Sequence, residues 1–308
     1  MDMDSLLHTD KTRVRRLVLE KLDKSEEILC KDVQLLKNWF KYQKHLPQIP
    51  CDNILELFLI VNKFNLEKCK KRLENYFTIR KEIPDLYVEK HPNLEHMRSI
   101  AQTVYIIPLP KLTPSLSRVT IMKLKDLDPE KFVALNFFAH SYNIVEIRIR
   151  EDVVLTDTIV YDMEGIQLSH LLKLRIGAIK KSTTVLEKVF SSRVEGIHYI
   201  NLPASMQVFV NLVKTMLKEK IRKRIYVHKN LESLHEHLTQ SILPKDYGGT
   251  EASLDELHDL WIRKLDANRE VFDYLDTLAP KGQESCSKND FLAEEELFES
   301  NFRSLCID

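Results

Sequence analysis

The feature that most constrains the fold is an alternation of strand-like and helix-like segments in the middle of the chain. Short runs rich in β-branched and aromatic residues recur at 104–107, 118–124, 158–161, 196–201 and 224–228. Between the later runs, apolar residues recur three and four positions apart, which is the spacing of one helix face. Strand and helix in this order are typical of a sheet with helices packed on it. The sequence therefore predicts an α/β fold with a mainly parallel sheet.

Helical periodicity dominates the N-terminal part of the chain. Pro47 and Pro50 separate two of the predicted helices, because proline removes a hydrogen-bond donor and disfavours helix in the residue before it. Pro108, Pro110 and Pro114 predict a loop between the first two strands. These changes of pattern divide the chain into an N-terminal helical unit (1–90), an α/β region (91–252), a C-terminal helix (253–279) and an acidic tail (280–308).

One predicted helix, following residue 202, has an unusually wide apolar face. Apolar residues at helical spacing are Met206, Phe209, Val210, Val213, Met216 and Leu217. Val208 and Leu212 widen this arc beyond the stripe of about a third of the circumference that attaches a surface helix to a core. Two interpretations stay open: an ordinary core helix, or a helix whose extra apolar surface contacts something besides the core.

A cluster of cations follows this helix. Its members are Lys214, Lys218, Lys220, Arg222, Lys223 and Arg224, and Glu219 is the one acidic residue among them. The chain as a whole has 46 basic and 46 acidic residues, so electrostatic attraction to a partner depends on such local asymmetry. The cluster is suited to transient docking on an anionic membrane, at about 1 kcal/mol per residue, or is a solvated helix end. Nucleic acid is disfavoured, because aromatic residues are not interleaved with the cations.

The sequence offers little for catalysis or metal binding. Its six glycines form neither a phosphate-binding loop nor a nucleophile elbow. His235 and His237 are two residues apart and point in different directions on a helix, which disfavours a shared metal. Asp162 and Glu164 end a strand and are interpreted as bracing a turn at Gly165. We therefore expect a protein that is not an enzyme and that holds no metal or cofactor.

The chain begins MDMDSLLHTDK, without the basic and apolar order of a secretory signal, and lacks an apolar run long enough to cross a bilayer. The five cysteines are scattered and form no Cys-x-x-Cys pair, so they are interpreted as reduced thiols. Both observations predict a cytoplasmic protein.

Several motifs in one register resemble a known family. They are VYDMEGIQLSH (160–170), GIHYINLP (196–203), the segment 209–224 and ILPKDYGG (242–249). Together with the helical leader, they resemble the CRAL-TRIO (Sec14-like) lipid-binding family over about residues 30 to 275. The similarity is greatest to the branch that contains α-tocopherol transfer protein and cellular retinaldehyde-binding protein.

The resemblance implies a mixed five-stranded sheet, an N-terminal helical unit and a mobile gate helix at about 204–218. It implies a monomeric, non-catalytic carrier of a retinoid, tocopherol, carotenoid or sterol-like ligand, with Ser141 and Tyr142 as polar contacts. The alternative is an adaptor that binds phosphoinositide membranes without transferring lipid. The implied pocket residues are Phe138, Ser141, Tyr142, Val145, Ile159, Tyr161, Val185, Val189, Phe190, Met206, Phe209, Val210 and Val213.

The resemblance also implies a basic site for a phosphoinositide headgroup and a transient contact with anionic membranes. The candidate residues are Arg193, Lys218, Lys220, Arg222, Lys223 and Arg224. The chain departs from the branch pattern where arginines are expected, with Glu195 beside the gate and with Ile60 and Asn62 in the helical leader. Ser192 and Arg224 replace the acid and lysine of the Sec14 branch, which disfavours a phosphatidylinositol exchanger.

Overall fold

The computed structural model describes residues 6–7, 10–190, 193–217 and 219–280, without the side chains of 176, 205, 209, 212, 213 and 216. The described residues form a five-stranded sheet surrounded by helices. The helices are α1 (Lys11–Lys21), α2 (Glu26–Lys41), α3 (Asp52–Val61), α4 (Leu66–Glu82), α5 (Glu95–Thr103), α6 (Ala134–Glu151), α7 (Leu168–Lys173), α8 (Ile176–Val185), α9 (Gln207–Met216), α10 (Glu219–Arg222), α11 (Leu231–His235), α12 (Leu254–Ala267) and α13 (Arg269–Leu278).

The sheet is mixed, and its strands lie side by side in chain order. The strands are β1 (Val104–Leu112), β2 (Ser117–Leu124), β3 (Thr156–Asp162), β4 (Val194–Ile200) and β5 (Ile225–Val227). β1 is antiparallel to β2, and the remaining neighbours are parallel. One row across the sheet consists of Ile107, Ile121, Val160, His198 and Tyr226. The α/β class and the mainly parallel five-stranded sheet are thus confirmed.

The predicted loop at the first prolines is wrong, because β1 continues through Pro108 and Pro110 to Leu112. β1 is an edge strand, where a residue without an N–H donor costs no ladder hydrogen bond on the open side. The register shifts after Pro108, and Arg118 donates to the carbonyl oxygens of Leu109 and Pro110, both at 2.7 Å. The buried guanidinium therefore satisfies backbone acceptors that the shifted ladder leaves open.

The N-terminal helices pack on the central part of the fold rather than standing apart from it. Apolar side chains of α2, α3 and α4 form one cluster with Tyr142 and Ile149 of α6 and with Val185 and Val189. Within this cluster Arg80 and Glu146 form a buried ion pair, with Nη2 and Oε1 at 2.6 Å. Tyr76 donates to the same carboxylate at 2.7 Å. The pair is fully enclosed, so its removal on one side leaves a buried charge.

The predicted single C-terminal helix is two helices, α12 and α13, which meet at Asn268. The Asn268 backbone leaves the helical region and its side chain donates to the Lys264 carbonyl at 2.8 Å, so the residue ends one helix and begins the next. Ser253 and Glu256 form a capping box at the start of α12. The acidic tail beyond residue 280 lies outside the described residues.

The two faces of the sheet carry different elements. α9 packs on the face that carries Tyr161 and Tyr199. The opposite face carries His198, whose ring lies 5.3 Å from that of His237, just after α11. No helix in the described part of the chain is long and apolar enough to cross a membrane.

Candidate functional site

The wide-faced helix of the sequence is α9, and it lies over strands β3 and β4. A single helical turn, Ala204–Met206, precedes it after the extended residue Pro203. Met206 and Val210 are buried in a cluster with Ile197 and Tyr199 of β4. Val210 has no exposed surface, whereas Val208 is 39% exposed. The helix therefore has a buried side against the sheet and an apolar residue on its outer side.

Two tyrosines form the floor beneath α9. The rings of Tyr161 and Tyr199 stack with centroids 5.2 Å apart and an interplanar angle of 18°. Neither hydroxyl is hydrogen-bonded to another described residue, and neither is enclosed: Tyr161 is half-buried, and both hydroxyl oxygens keep accessible surface. Burial raises the pKa of Tyr161 to about 12, and burial together with Tyr161 raises the pKa of Tyr199. Both phenols therefore stay protonated near neutral pH and can donate to the oxygen of a ligand.

A second group of the predicted pocket residues lies on α6, α8 and the π-helical turn Leu186–Phe190. Tyr142, Val185 and Val189 belong to the cluster with the N-terminal helices, and Phe138, Val145 and Phe190 pack against it. Burial raises the pKa of Tyr142, and its hydrogen bond with Ser182 opposes the rise. Ile159 lies two residues before Tyr161 on the same face of β3.

The predicted polar contacts are already occupied. The Tyr142 hydroxyl lies 2.7 Å from the Ser182 hydroxyl and donates to the Ser182 carbonyl at 2.9 Å. Ser141 donates to the Phe137 carbonyl of its own helix at 2.9 Å. The hydroxyls that make no bond to another described residue are those of Tyr161, a predicted pocket residue, and of Tyr199, which sequence reasoning missed. The pairing of β3 with β4 would have identified Tyr199, because Tyr199 lies opposite Tyr161 in the parallel register.

The backbone of Phe209 and Val213 lies in α9, while their side chains are outside the described part of the structure. Asp162 is a structural brace. Its carboxylate accepts from Asn201 at 2.8 Å, from the Tyr247 hydroxyl at 2.9 Å and from Lys123 at 3.0 Å. These bonds hold the end of β3 to the chain that enters α9.

The basic cluster follows α9 and forms α10 and the start of β5. Lys220 and Arg222 are exposed, and neither has an ion-pair partner among the described residues. Lys223 pairs with Glu219 at 2.7 Å, and half-buried Arg224 donates to the Val194 carbonyl. Lys218 lies outside the described residues.

Arg193, the remaining predicted cation, is half-buried just before β4, and its Nη1 has no partner in the described part of the chain.

Three departures from the branch pattern also have structural roles. Glu195 accepts from Thr156 at 2.7 Å and from Ser115 at 3.0 Å. Ile60 is 1% exposed and Asn62 8% exposed, so these two positions face the interior.

Comparison with known proteins places this architecture. Residues 102–249 match the CRAL/TRIO domain, which spans the sheet, α9 and the basic cluster. The chain contains a CRAL/TRIO domain. Residues 25–97 match the Pinta-like, UBA domain, so this second match covers α2 to α4 and ends in α5. CRAL/TRIO domains are lipid-binding and lipid-transfer domains, and the resemblance inferred from the motifs is confirmed.

Relatives that align over more than three quarters of the chain match the predicted branch. "Alpha-tocopherol transfer protein-like" from Homo sapiens is 28% identical over 242 residues, which are 77% of this chain and 70% of that protein. Clavesin-2 from Homo sapiens is 22% identical over 248 residues, 79% of this chain and 75% of that protein. The crystal structure of Sfh5 covers 84% of this chain and 98% of its own, with 14% identity and a TM-score of 0.46.

Proposed function

We propose that this CRAL/TRIO protein carries a small, largely apolar lipid beneath α9 and transfers it between membranes. The observation that supports the proposal best is the stacked Tyr161–Tyr199 pair, which packs in the apolar cluster beneath α9 and whose hydroxyls make no bond to another described residue. A hydrogen bond from one of these hydroxyls contributes about 0.5–1.5 kcal/mol, so a ligand that supplies an oxygen is favoured over a pure hydrocarbon. Retinoids, tocopherols and sterol-like molecules have such an oxygen at one end.

The ends of α9 are suited to act as hinges. Pro203 and Leu217 flank the helix in extended backbone conformations, with ψ of 143° and 146°. A rotation at these two residues moves α9 as a unit while the sheet stays in place. In our proposal this movement opens the space over the tyrosine pair, and Met206 and Val210 close it again on the sheet.

The test of the carrier is native mass spectrometry of the purified protein, followed by organic extraction of what it retains. We expect one apolar molecule per chain, and we expect Val210→Trp to abolish its retention because the larger indole would occupy the position that the ligand takes in our proposal, between α9 and the sheet. Val208→Trp is the matched control, since residue 208 is exposed on the same helix. Equal retention by both variants, or a folded protein that never accepts a hydrophobic molecule, would exclude the carrier.

We also propose that Lys220, Arg222 and Lys223 dock the protein on anionic membranes near the hinge. The docking depends on surface charge rather than on a specific phosphoinositide headgroup, because Ile60 and Asn62 are interior and Glu195 adds a negative charge. The Lys220→Glu/Arg222→Glu variant should bind phosphatidylserine vesicles at least about tenfold more weakly, and most clearly at low salt.

The control for vesicle binding is Lys41→Glu/Lys44→Glu, which changes the net charge equally at exposed residues near the end of α2. Equal weakening by both variants would show that net charge alone matters. A vesicle with phosphoinositide at matched surface charge distinguishes the two modes, and a strong preference for it would contradict the charge-only proposal.

The alternative function is an adaptor that binds membranes without carrying lipid. It is favoured by the direct packing of Met206 and Val210 on Ile197 and Tyr199, which brings α9 onto the sheet. Vesicle binding without any extractable ligand, and without lipid transfer between donor and acceptor vesicles, is the result that this alternative predicts.

A further inference from the structure

A cleft of about 270 Å³ lies far along the chain from α9, between the N-terminal helices and α13. Its apolar walls are Pro50 before α3, Ile54 on α3, Phe77 on α4 and Val271 on α13. None of the residues that line it belongs to α9 or to the tyrosine pair. The cleft is therefore a separate feature from the proposed lipid site. Its volume is just below the range of about 300–1,000 Å³ for drug-sized ligands, so it suits a smaller molecule.

The lining of the cleft also contains polar and cationic side chains. Arg150 lines it and donates to the Glu146 carboxylate at 2.7 Å and to the Tyr76 hydroxyl at 3.2 Å. Arg80 pairs with that same carboxylate at 2.6 Å. Two guanidinium groups thus share one carboxylate, which leaves one positive charge uncompensated within this network. A partly buried cation of this kind attracts an anion more strongly than a solvated one does.

A second polar group beside the network lacks a partner. Tyr274 lines the cleft, and its hydroxyl is buried without a hydrogen bond to any described residue. Burial raises its pKa, and nearby Arg80 and Arg150 lower it in part, so the phenol is protonated at neutral pH. A carboxylate oxygen that reached this end of the cleft would meet a phenol donor and a guanidinium together. Charge-assisted bonds of this type are the stronger ones in proteins.

We propose that the cleft binds a small amphiphile with an apolar body and a carboxylate, such as a medium-chain fatty acid. The carboxylate lies at Arg150 and Tyr274, and the chain lies along Ile54, Phe77 and Val271. The exposed Glu270 lies at the mouth and weakens binding through its negative charge. Because α3, α4 and α13 all contribute walls, a bound ligand joins the N-terminal helices to the C-terminal one. This inference does not depend on the proposed carrier function.

A cysteine of the chain can report whether the cleft is occupied. Cys51 lines the cleft and is exposed, and Cys30 is exposed on α2 outside the cleft lining. We would alkylate the full-length protein with and without octanoate, below its micelle concentration, and follow each cysteine by peptide mass spectrometry. Octanoate should slow alkylation of Cys51 in a saturable manner and leave Cys30 unchanged, and octanol should protect at least about tenfold less well. Equal protection of both cysteines, or equal protection by octanol, would overturn the proposal.

Variants separate this site from the lipid site. Tyr274→Phe removes a hydroxyl that has no partner, so it should fold normally and weaken octanoate protection about tenfold. Arg150→Met should weaken it at least as much, and Glu270→Gln should strengthen it about twofold or more. Val210→Trp, which would occupy the proposed lipid position beneath α9, should leave protection of Cys51 intact. Protection that is lost in Val210→Trp but kept in Tyr274→Phe would assign the octanoate effect to the lipid site and refute the cleft.

Discussion

Mild acid should destabilise this protein through histidines on the face of the sheet opposite α9. His198 and His228 are buried, and Nδ1 of the first lies 2.8 Å from Nε2 of the second. Burial, then His228 and His237, lowers the pKa of His198 to about 3. Burial and His237 also lower the pKa of His228, which the Ser233 backbone and Glu236 oppose. Burial, rather than the hydrogen bond between the rings, is the main reason that both imidazoles resist protonation.

The size of the loss in stability follows from the difference in histidine pKa between the folded and unfolded states. An unfolded histidine has a pKa of about 6.5, so between pH 7 and pH 5 it binds a proton that folded His198 does not bind. The free energy of unfolding therefore falls by about 2 kcal/mol over this interval. His140 and His258, with pKa values lowered by burial to about 3 and about 4, add comparable amounts. Three such groups together give about 5–6 kcal/mol, a large share of a typical stability of about 5–15 kcal/mol.

Carboxylates do not produce this effect in the same pH interval. The pKa values of Glu146 and Asp152 are lowered by their arginine partners against the opposing effect of burial. Their contribution to stability is present above the unfolded pKa of about 4 and is lost only at lower pH. A loss that begins near pH 6.5 is therefore assigned to the histidines.

Urea unfolding at pH 7, 6 and 5 tests the assignment. His198→Gln should reduce the pH-dependent loss by about 2 kcal/mol, whatever its stability at pH 7. His96→Gln, at an exposed position on α5, should leave the loss unchanged. Hydrogen exchange adds a local measurement, since the Ile197 and His228 amides donate across β4 and β5 and should lose protection first. An identical pH dependence in wild type and His198→Gln would refute the reasoning.

Two further predictions concern stability at neutral pH. Glu146→Gln leaves Arg80 buried without its carboxylate and should lower the free energy of unfolding, measured in urea, by about 3–5 kcal/mol. The control is Glu20→Gln, which removes an exposed ion pair with Arg16 on α1 and should change the free energy of unfolding by less than about 0.5 kcal/mol. Tyr247→Phe removes a donor to the buried Asp162 carboxylate and should cost about 1.5–3 kcal/mol, and a neutral result would show that Asp162 does not brace β3.

Sequence reasoning predicted the sheet correctly, because runs of β-branched residues indicate strands without any knowledge of the rest of the fold. It failed at β1, because only the position of a strand at the edge of a sheet makes Pro108 and Pro110 compatible with it. Sequence reasoning also predicted one helix where Asn268 separates two. The backbone of Asn268 leaves the helical conformation, but the spacing of the apolar residues continues across it. The division of the chain into four regions stays a prediction.

The candidate site was partly accessible to sequence reasoning. The wide apolar arc identified α9, and the motif that contains Tyr161 identified β3. Tyr199 was missed because its role depends on the register of β4 beside β3, which is a property of the folded sheet. The free hydroxyls were assigned to Tyr142 and Ser141, whose bonds within the fold cannot be read from spacing.

The prolines of β1 also bear on how the protein behaves at high concentration. An exposed sheet edge is a template on which a second chain adds a strand, and aggregation begins there. Pro108 and Pro110 remove two donors from one edge, and Arg118 and Trp261 occupy carbonyl oxygens of the same strand. The other edge, β5, has only three residues. Both edges of the sheet are thus poor templates. If α9 moves as we propose, this would protect the protein from self-association while apolar surface is exposed.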